Sequence, residues 1–365
     1  MAESNDLDFK TVVEFVPRSK SVQAGWYDII QNRIGDSRLL VPYNGRCCGS
    51  SHGWLIFTEE NLALTLYNPF TGKSIHLPPV IPVPSENERA LDYDYQHEIP
   101  KVVLSADPLE APDTYEVVAI YNICVGKLAY FKSGWSTWIY ARQSKHRRAL
   151  SFHFYDITCF NGKFYAANGQ WLASLEVCIG EAEPNASYIR LNHVAVRDFN
   201  EYQYLIVKCY IVGSPDGRLV WIDRHNRRRR AGKKEYFDIN GSSYEFDPDR
   251  MQLTSRFKVY EMKEIDGEMK HVELRKLEGQ AIFVGHNHSE MILTKILPEC
   301  KPNRIHYTDD CMDRIDGPYK PLGAVDIGVF DLEKERIESL YVPGPSKRDV
   351  PPPIWFVPRA NHIVN

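Results

Sequence analysis

Short runs that are apolar on both faces of an extended chain recur along this sequence, at residues 54–57, 102–104, 117–121, 128–131, 204–207, 219–222 and 281–284. Runs of four or five residues are too short for buried helices and have the length of strands covered from both sides. Polar turn signals separate them. The first run leads into a turn at Glu59 and Glu60, a strand over residues 62–67, an Asn68-Pro-Phe-Thr-Gly72 turn and a short strand ending at Leu77-Pro78. That succession is the anatomy of one antiparallel propeller blade. Helical periodicity is nearly absent, with residues 26–33 the one stretch expected to form a short helix.

Grouping the strands gives units that open near Cys48, Lys101, Tyr155, Gln203 and Ala281. Their spacing is roughly 50 residues, the period of kelch-type blades, except for a longer fourth unit. Its excess reads as a basic and polar loop inserted at residues 224–249. Five units then span residues 48–342 and leave both chain ends over. Residues 11–16 and 354–357 are the expected strands of a sixth, ring-closing blade. The predicted fold is therefore an all-β, kelch-like β-propeller with few or no helices and six blades, five or seven being the alternatives. Residues 1–44 form a short leading segment that contributes a closing strand, and residues 45–360 form the propeller.

Blades pack face to face, so a middle strand is buried on both sides while the outermost strand alternates and is protected by charge or proline. Residues 325–332 show that partial alternation. Trp54, among Leu55, Ile56 and Phe57, is expected in the core, as is Trp355 in the proline-fenced run 351–358.

Composition narrows the function classes. Among 365 residues, 44 basic and 48 acidic side chains give a net charge of −4, so there is no global electrostatic footprint for nucleic acid or an anionic membrane. The acidic amino terminus has no apolar core of a secretory signal, and no run approaches the ~20 apolar residues that cross a bilayer. A soluble protein of the cytoplasm, the nucleus or both is expected. Its eight cysteines, Cys47, Cys48, Cys124, Cys159, Cys178, Cys209, Cys300 and Cys311, include no C-x-x-C pair. They read as reduced core thiols, and in a reducing compartment the N-x-S sequons at Asn185, Asn240 and Asn287 carry no meaning.

Four local patterns invite chemistry. Gly49-Ser50-Ser51-His52-Gly53 satisfies G-x-S-x-G, but a nucleophile elbow needs a helix after the serine and here a β-rich run follows, so a tight turn is expected. His286, His288 and Glu290 alternate like ligands on one strand face, yet Gly285 and Asn287 mark a hairpin turn between two apolar runs. Asp309 and Asp310 fit turn capping better than acid/base work. Arg224, Arg227, Arg228, Arg229, Arg230, Lys233 and Lys234 make the one dense cationic run, read as a nuclear-localisation signal, a nucleic-acid patch or a solvated loop. No cofactor, metal or catalytic residue is expected.

Longer phrases resemble a known family. Arg46-Cys-Cys-Gly-Ser-Ser-His-Gly-Trp54, Asn68-Pro-Phe-Thr-Gly72 with Leu77-Pro78, Lys101-Val-Val-Leu-Ser-Ala-Asp-Pro108, Phe160-Asn-Gly-Lys-Phe-Tyr165, Phe257-Lys-Val-Tyr260, Cys300-Lys-Pro-Asn303 with Tyr307-Thr-Asp-Asp310, Gly328-Val-Phe-Asp-Leu332 and Pro351-Pro-Pro-Ile-Trp-Phe-Val-Pro358 resemble the plant F-box-associated, KIB-type β-propeller family, in its order. The resemblance implies a propeller that recognises substrates for a cullin ubiquitin ligase, after an F-box that docks on a Skp-type adaptor. Residues 1–44 lack the helices of an F-box, so direct adaptor binding is not expected and the chain reads as a propeller-only member or a truncated product. The family offers no catalytic residues to carry over. The expectation is a non-catalytic module for an unidentified protein ligand. The rivals are an enzyme working in the central channel, hydrolytic or metal-dependent, and a nucleic-acid binder acting through the 224–234 loop.

Overall fold

The computed structural model describes residues 11–18, 21–28, 33–34, 39–41, 46–80, 98–122, 126–141, 153–180, 187–196, 206–226, 235–239, 242–246, 254–296, 300–308, 326–338 and 354–356, with backbone alone before residue 46, at 206, 207 and 226, and within 235–246. Apart from one 3-10 turn at Thr294–Ile296, the described elements that follow are strands.

The chain opens with β1 (Thr11–Arg18), β2 (Ser21–Asp28), β3 (Arg33–Ile34) and β4 (Leu39–Val41). Blade 1 is β5 (Cys47–Ser51), β6 (Trp54–Thr58), β7 (Leu64–Tyr67) and β8 (Ser74–Leu77); blade 2 is β9 (Lys101–Leu104), β10 (Glu116–Tyr121), β11 (Lys127–Lys132) and β12 (Ile139–Tyr140). Blade 3 is β13 (Asp156–Phe160), β14 (Lys163–Ala167), β15 (Trp171–Cys178) and β16 (Tyr188–Val196). In each of the three the strands lie side by side in chain order. Blade 4 is β17 (Ile206–Gly213), β18 (Leu219–Asn226), β21 (Thr254–Ile265) and β22 (Glu268–Leu274), and a separate hairpin of β19 (Glu235–Ile239) and β20 (Ser242–Phe246) interrupts it. Blade 5 has β23 (Gln280–Val284), β24 (Ser289–Leu293), β25 (Arg304–Tyr307), β26 (Gly328–Asp331) and β27 (Arg336–Glu338) in the order β24-β23-β25-β26-β27, with β23 and β25 parallel.

Five blades thus follow one another from residue 47 to 338, matching the five units read from the spacing, while a sixth blade of the same make-up is not formed among the described residues. The ring is completed by a sheet of different make-up, β28 (Ile354–Phe356)-β1-β2-β3, with β4 also on β2. It joins the two ends of the chain: Thr11 lies opposite Phe356, Val12 opposite Trp355 and Val13 opposite Ile354.

The core consists of layers between blades. On β10, Val117 and Ala119 pack toward Trp54, Ile56, Leu64 and Leu66 of blade 1, while Val118 and Ile120 pack toward Ile157, Phe164 and Ala166 of blade 3. Period-two alternation with apolar residues on both faces is what the doubly apolar runs encode. Blade 4 repeats it, with Tyr210, Val212 and Ile222 toward blade 5 and Cys209, Ile211 and Trp221 toward blade 3.

Four expectations need correction. The described ends of residues 26–33 are strand rather than helix, since β2 runs through Asp28 and β3 begins at Arg33; strand pairing overrides a weak local preference. The strand expected over residues 62–67, β7, begins at Leu64 because Leu62, with φ 64°, still closes the turn. Within residues 325–332, β26 is not outermost: its four residues are buried and β27 covers it. The insertion does not begin at Arg224, which lies inside β18 and is 3% exposed, and its described part is the β19–β20 hairpin.

A candidate interaction face

Contacts between inner strands fix their common direction. The Leu104 N–H donates to Ser51 Oγ, 3.4 Å, joining the ends of β5 and β9. Lys101 and Asp156 pair at the starts of β9 and β13, and Lys208 Nζ lies 3.3 Å from His286 Nδ1, joining the start of β17 to the turn before β24. The inner strands of blades 1 to 5 therefore run the same way, and antiparallel pairing assigns every connection to one end or the other.

The two ends differ. At one, the hairpins β5–β6, β13–β14 and β21–β22 close in two residues, His52-Gly53, Asn161-Gly162 and Asp266-Gly267, each with both φ positive. These are the primed turns that match strand twist. At the other, the segments that leave Val80, Ala141, Val196, Asn226 and Thr308 return at Glu98, His153, Ile206, Thr254 and Asp326. The longest connections thus begin and end on one face of the ring.

A single guanidinium ties down two of them. Arg224 donates from Nε to Thr254 Oγ1 at 2.7 Å, from Nη1 to Tyr210 Oη at 3.0 Å and the Thr308 carbonyl at 2.9 Å, and from Nη2 to Asp326 at 2.9 Å. Asp326 Oδ2 also accepts from the Thr254 N–H and hydroxyl, at 2.9 and 2.8 Å. The four feet of the connections 226–254 and 308–326 meet at one buried ion pair, which spans blades 4 and 5. Tyr307 lies under the guanidinium, 5.0 Å from ring centroid to Cζ, and burial pushes its hydroxyl pKa up. Across the ring, buried Asp156 pairs with Lys101 and accepts the Ile211 N–H at 2.8 Å, linking blades 2, 3 and 4.

The residues singled out by sequence fall as follows. Ser51 is buried in β5 and a strand, not a helix, follows it, so no nucleophile elbow exists. The imidazoles of the 285–288 turn part company: His286 faces Lys208, and His288 pairs with Glu290 at 3.5 Å. Among the described residues no group of three or more metal-ligating side chains assembles. Burial raises the thiol of Cys47 to about 12 and that of Cys48 to about 11, leaving both protonated and unreactive. Trp54 is fully buried and its indole donates to Asp107 at 2.9 Å, while Trp355 is 3% exposed. Asn287 is buried and hydrogen-bonded to the Trp355 backbone, so its sequon is inaccessible. Arg227, Arg228, Arg229, Arg230, Lys233, Lys234, Asp309 and Asp310 lie outside the described residues.

Sequence reasoning missed Asp326, and it read Arg224 only as part of a cationic run and Asn287 only as a turn and sequon residue. Arg224 and Asp326 are 102 residues apart, and neither neighbourhood signals the other.

Fold and face together define a β-propeller that spends one end on connections, the design of an interaction platform. The KIB1-4 β-propeller family model matches residues 27–331, and the chain belongs to that family. No curated protein matches it. Among solved structures it is similar to the Cps50 (Swd1) β-propeller domain of Myceliophteria thermophila, 12% identical at a TM-score of 0.31 over 72% of this chain and 88% of that one. A putative 6-phosphogluconolactonase of Bacteroides fragilis NCTC 9343 is 11% identical at a TM-score of 0.37, over 92% and 95%. These likenesses carry no functional argument.

Proposed function

We propose that the chain is a non-catalytic protein-recognition propeller that binds its ligand on the connection face over blades 4 and 5, as a relative of the substrate receptors of cullin ubiquitin ligases. The observation that carries this reading is the shared clamp. Arg224 and Asp326 hold the feet of two long connections at fixed separation, so the ordering cost of presenting them together is met by folding before a partner arrives. Rigid scaffolds that project variable connections are a recurrent way to build recognition surfaces. The ligase role rests on the family's F-box association. The described part of residues 11–41 is spent on strands that close the ring, which supports the expectation that a Skp-type adaptor does not bind this chain directly.

The test is affinity capture with tagged full-length chain from its native tissue, read by mass spectrometry. Lys208→Glu with Arg256→Glu, near the starts of β17 and β21 on the connection face, should lose the captured protein, and Lys163→Glu with Lys334→Glu, at the β13–β14 and β26–β27 turns of the opposite face, should retain it. The reverse outcome sinks the reading. A stoichiometric complex of the purified chain with a Skp-type adaptor on size-exclusion chromatography would overturn the adaptor statement.

A further inference from the structure

The closing strand β28 is held like a bound peptide. Its backbone pairs with β1 along one edge. On the other edge the side-chain amide of Asn287 reads the backbone of Trp355 twice, donating to its carbonyl at 2.8 Å and accepting from its N–H at 3.2 Å. The side chains then alternate between two blades. Ile354 and Phe356 enter blade 1 among Leu55, Phe57 and Tyr67, with Phe70 stacked on Phe356 at 5.9 Å.

Trp355 points the other way, into a slot of blade 5. Its indole N–H donates to the Val284 carbonyl at 2.7 Å, and its ring meets Phe283 edge to face at 4.9 Å. The floor of the slot is Gly285, where a Cβ would come within 2.7 Å of Trp355 Cδ1. A glycine at that point leaves room for an indole and for little else. Main-chain bonds along both edges with alternate side chains in separate pockets are how sheet-adding peptides are recognised: the backbone gives affinity, the pockets specificity.

Topology supplies the second half of the argument. The strand that precedes β28 in the chain, β27, is outermost in blade 5, whereas β28 sits beside β5 at the inner end of the closing sheet. No tight hairpin delivers β28 to its groove. Among the described residues its attachment there is by non-covalent contacts such as these, which are indifferent to which molecule the strand belongs to. Covalent linkage contributes an effective concentration, on the order of millimolar for a short flexible linker, which a second molecule can match when concentrated or when the resident strand is weakened.

We propose that the seam between blades 5 and 1 is a peptide-binding site for an extended Ile-Trp-Phe segment, which the chain fills with its own residues 354–356 and can equally take from a second copy of itself. The slot lies at the connection-face end of blade 5, where the Thr308 N–H donates to the same Val284 carbonyl, and the proposal does not depend on the ligand bound on that face.

The test uses full-length chain carrying Trp355→Ala and a synthetic peptide of residues 350–358. The peptide should raise the thermal unfolding midpoint of the variant in proportion to the logarithm of its concentration, as expected for a ligand that binds only the folded state. A peptide with alanine at the tryptophan should do nothing. Adding Asn287→Ala should weaken peptide affinity about tenfold or more, through loss of two buried hydrogen bonds. A variant folded by circular dichroism whose midpoint ignores the peptide overturns the proposal. Should the variant fail to fold, wild-type chain held a few degrees below its midpoint with labelled peptide decides the matter. A rise in fluorescence anisotropy, competed by unlabelled peptide, is expected; a flat signal overturns it.

Discussion

Arg224 and Asp326, one in the second strand of blade 4 and the other at the threshold of β26, form a buried ion pair at 2.9 Å in which each nitrogen of the guanidinium is engaged. Both side chains are less than a tenth exposed, so solvent does not screen the pair. A buried charge pair is worth little beyond an apolar replacement, but removing one partner strands the other's charge.

Arg224→Ala should therefore cost about 3–5 kcal/mol. Arg224→Met with Asp326→Leu should recover much of that loss while still releasing the feet of the two connections. Denaturant unfolding of the three proteins checks the ordering. Equal stability of Arg224→Ala and wild type would place the guanidinium in solvent.

Trp54→Ala should cost about 3–5 kcal/mol, the usual range for a large aromatic removed from a packed layer. Asp107→Ala should cost less, about 1–3 kcal/mol, since it leaves the indole N–H and the Leu109 N–H without their acceptor while the ring still packs. Thermal unfolding of both variants tests the order.

Gly49 marks a close approach of blades 1 and 2. A Cβ there would lie 2.5 Å from the Val102 carbonyl oxygen, a backbone atom that can yield only if the blades separate. Gly49→Ala should destabilise by about 1–3 kcal/mol. Gly169→Ala, where a Cβ meets nothing within 4 Å, should be near neutral. Similar midpoints for the two would refute the steric argument.

His306 gives stability a pH dependence. It is stacked on Phe283 at 4.5 Å with its Nε2 3.5 Å from Cys300 Sγ, and burial, with Arg304 nearby, holds its pKa down to about 3 from an ordinary 6.5. The folded state keeps the ring neutral while the unfolded chain takes up a proton below pH 6.5. Stability is thus unaffected above that pH and falls as pH drops from 6.5 toward 3, by about 1.4 kcal/mol per pH unit from this group. Denaturant unfolding at pH 7 and 5 should differ accordingly. His306→Phe should remove this part of the slope, and an unchanged slope would assign the effect elsewhere.

Arg227, Arg228, Arg229 and Arg230 are expected to drive nuclear accumulation, as the one dense cationic run in a slightly acidic chain. Replacing the four with alanine should redistribute a fluorescent fusion toward the cytoplasm. Identical distributions would dismiss the import reading.

The amino-acid sequence by itself determined the strands and the blades. Val117 to Tyr121 or Leu219 to Ile222 read as strands covered on both faces, because runs of four or five apolar residues are too short for buried helices. The positions of β9 and β28 were legible for the same reason, as were the turns at Asn68 and at His52-Gly53, whose side chains and φ angles are local chemistry, whereas Gly49 to Ser51, expected in a tight turn, belong to β5. Tertiary structure alone decided the rest. A sequence of charges after Ile222 reads as a loop; the fold places Arg224 in the core because Asp326, Thr254 and Thr308 converge on it from far along the chain. The parallel pairing of β23 with β25, the grip of Asn287 on Trp355 and the gathering of the long connections on one face are likewise products of which strands become neighbours. A one-dimensional pattern states what each residue must hide or expose, and only the closed ring states from whom.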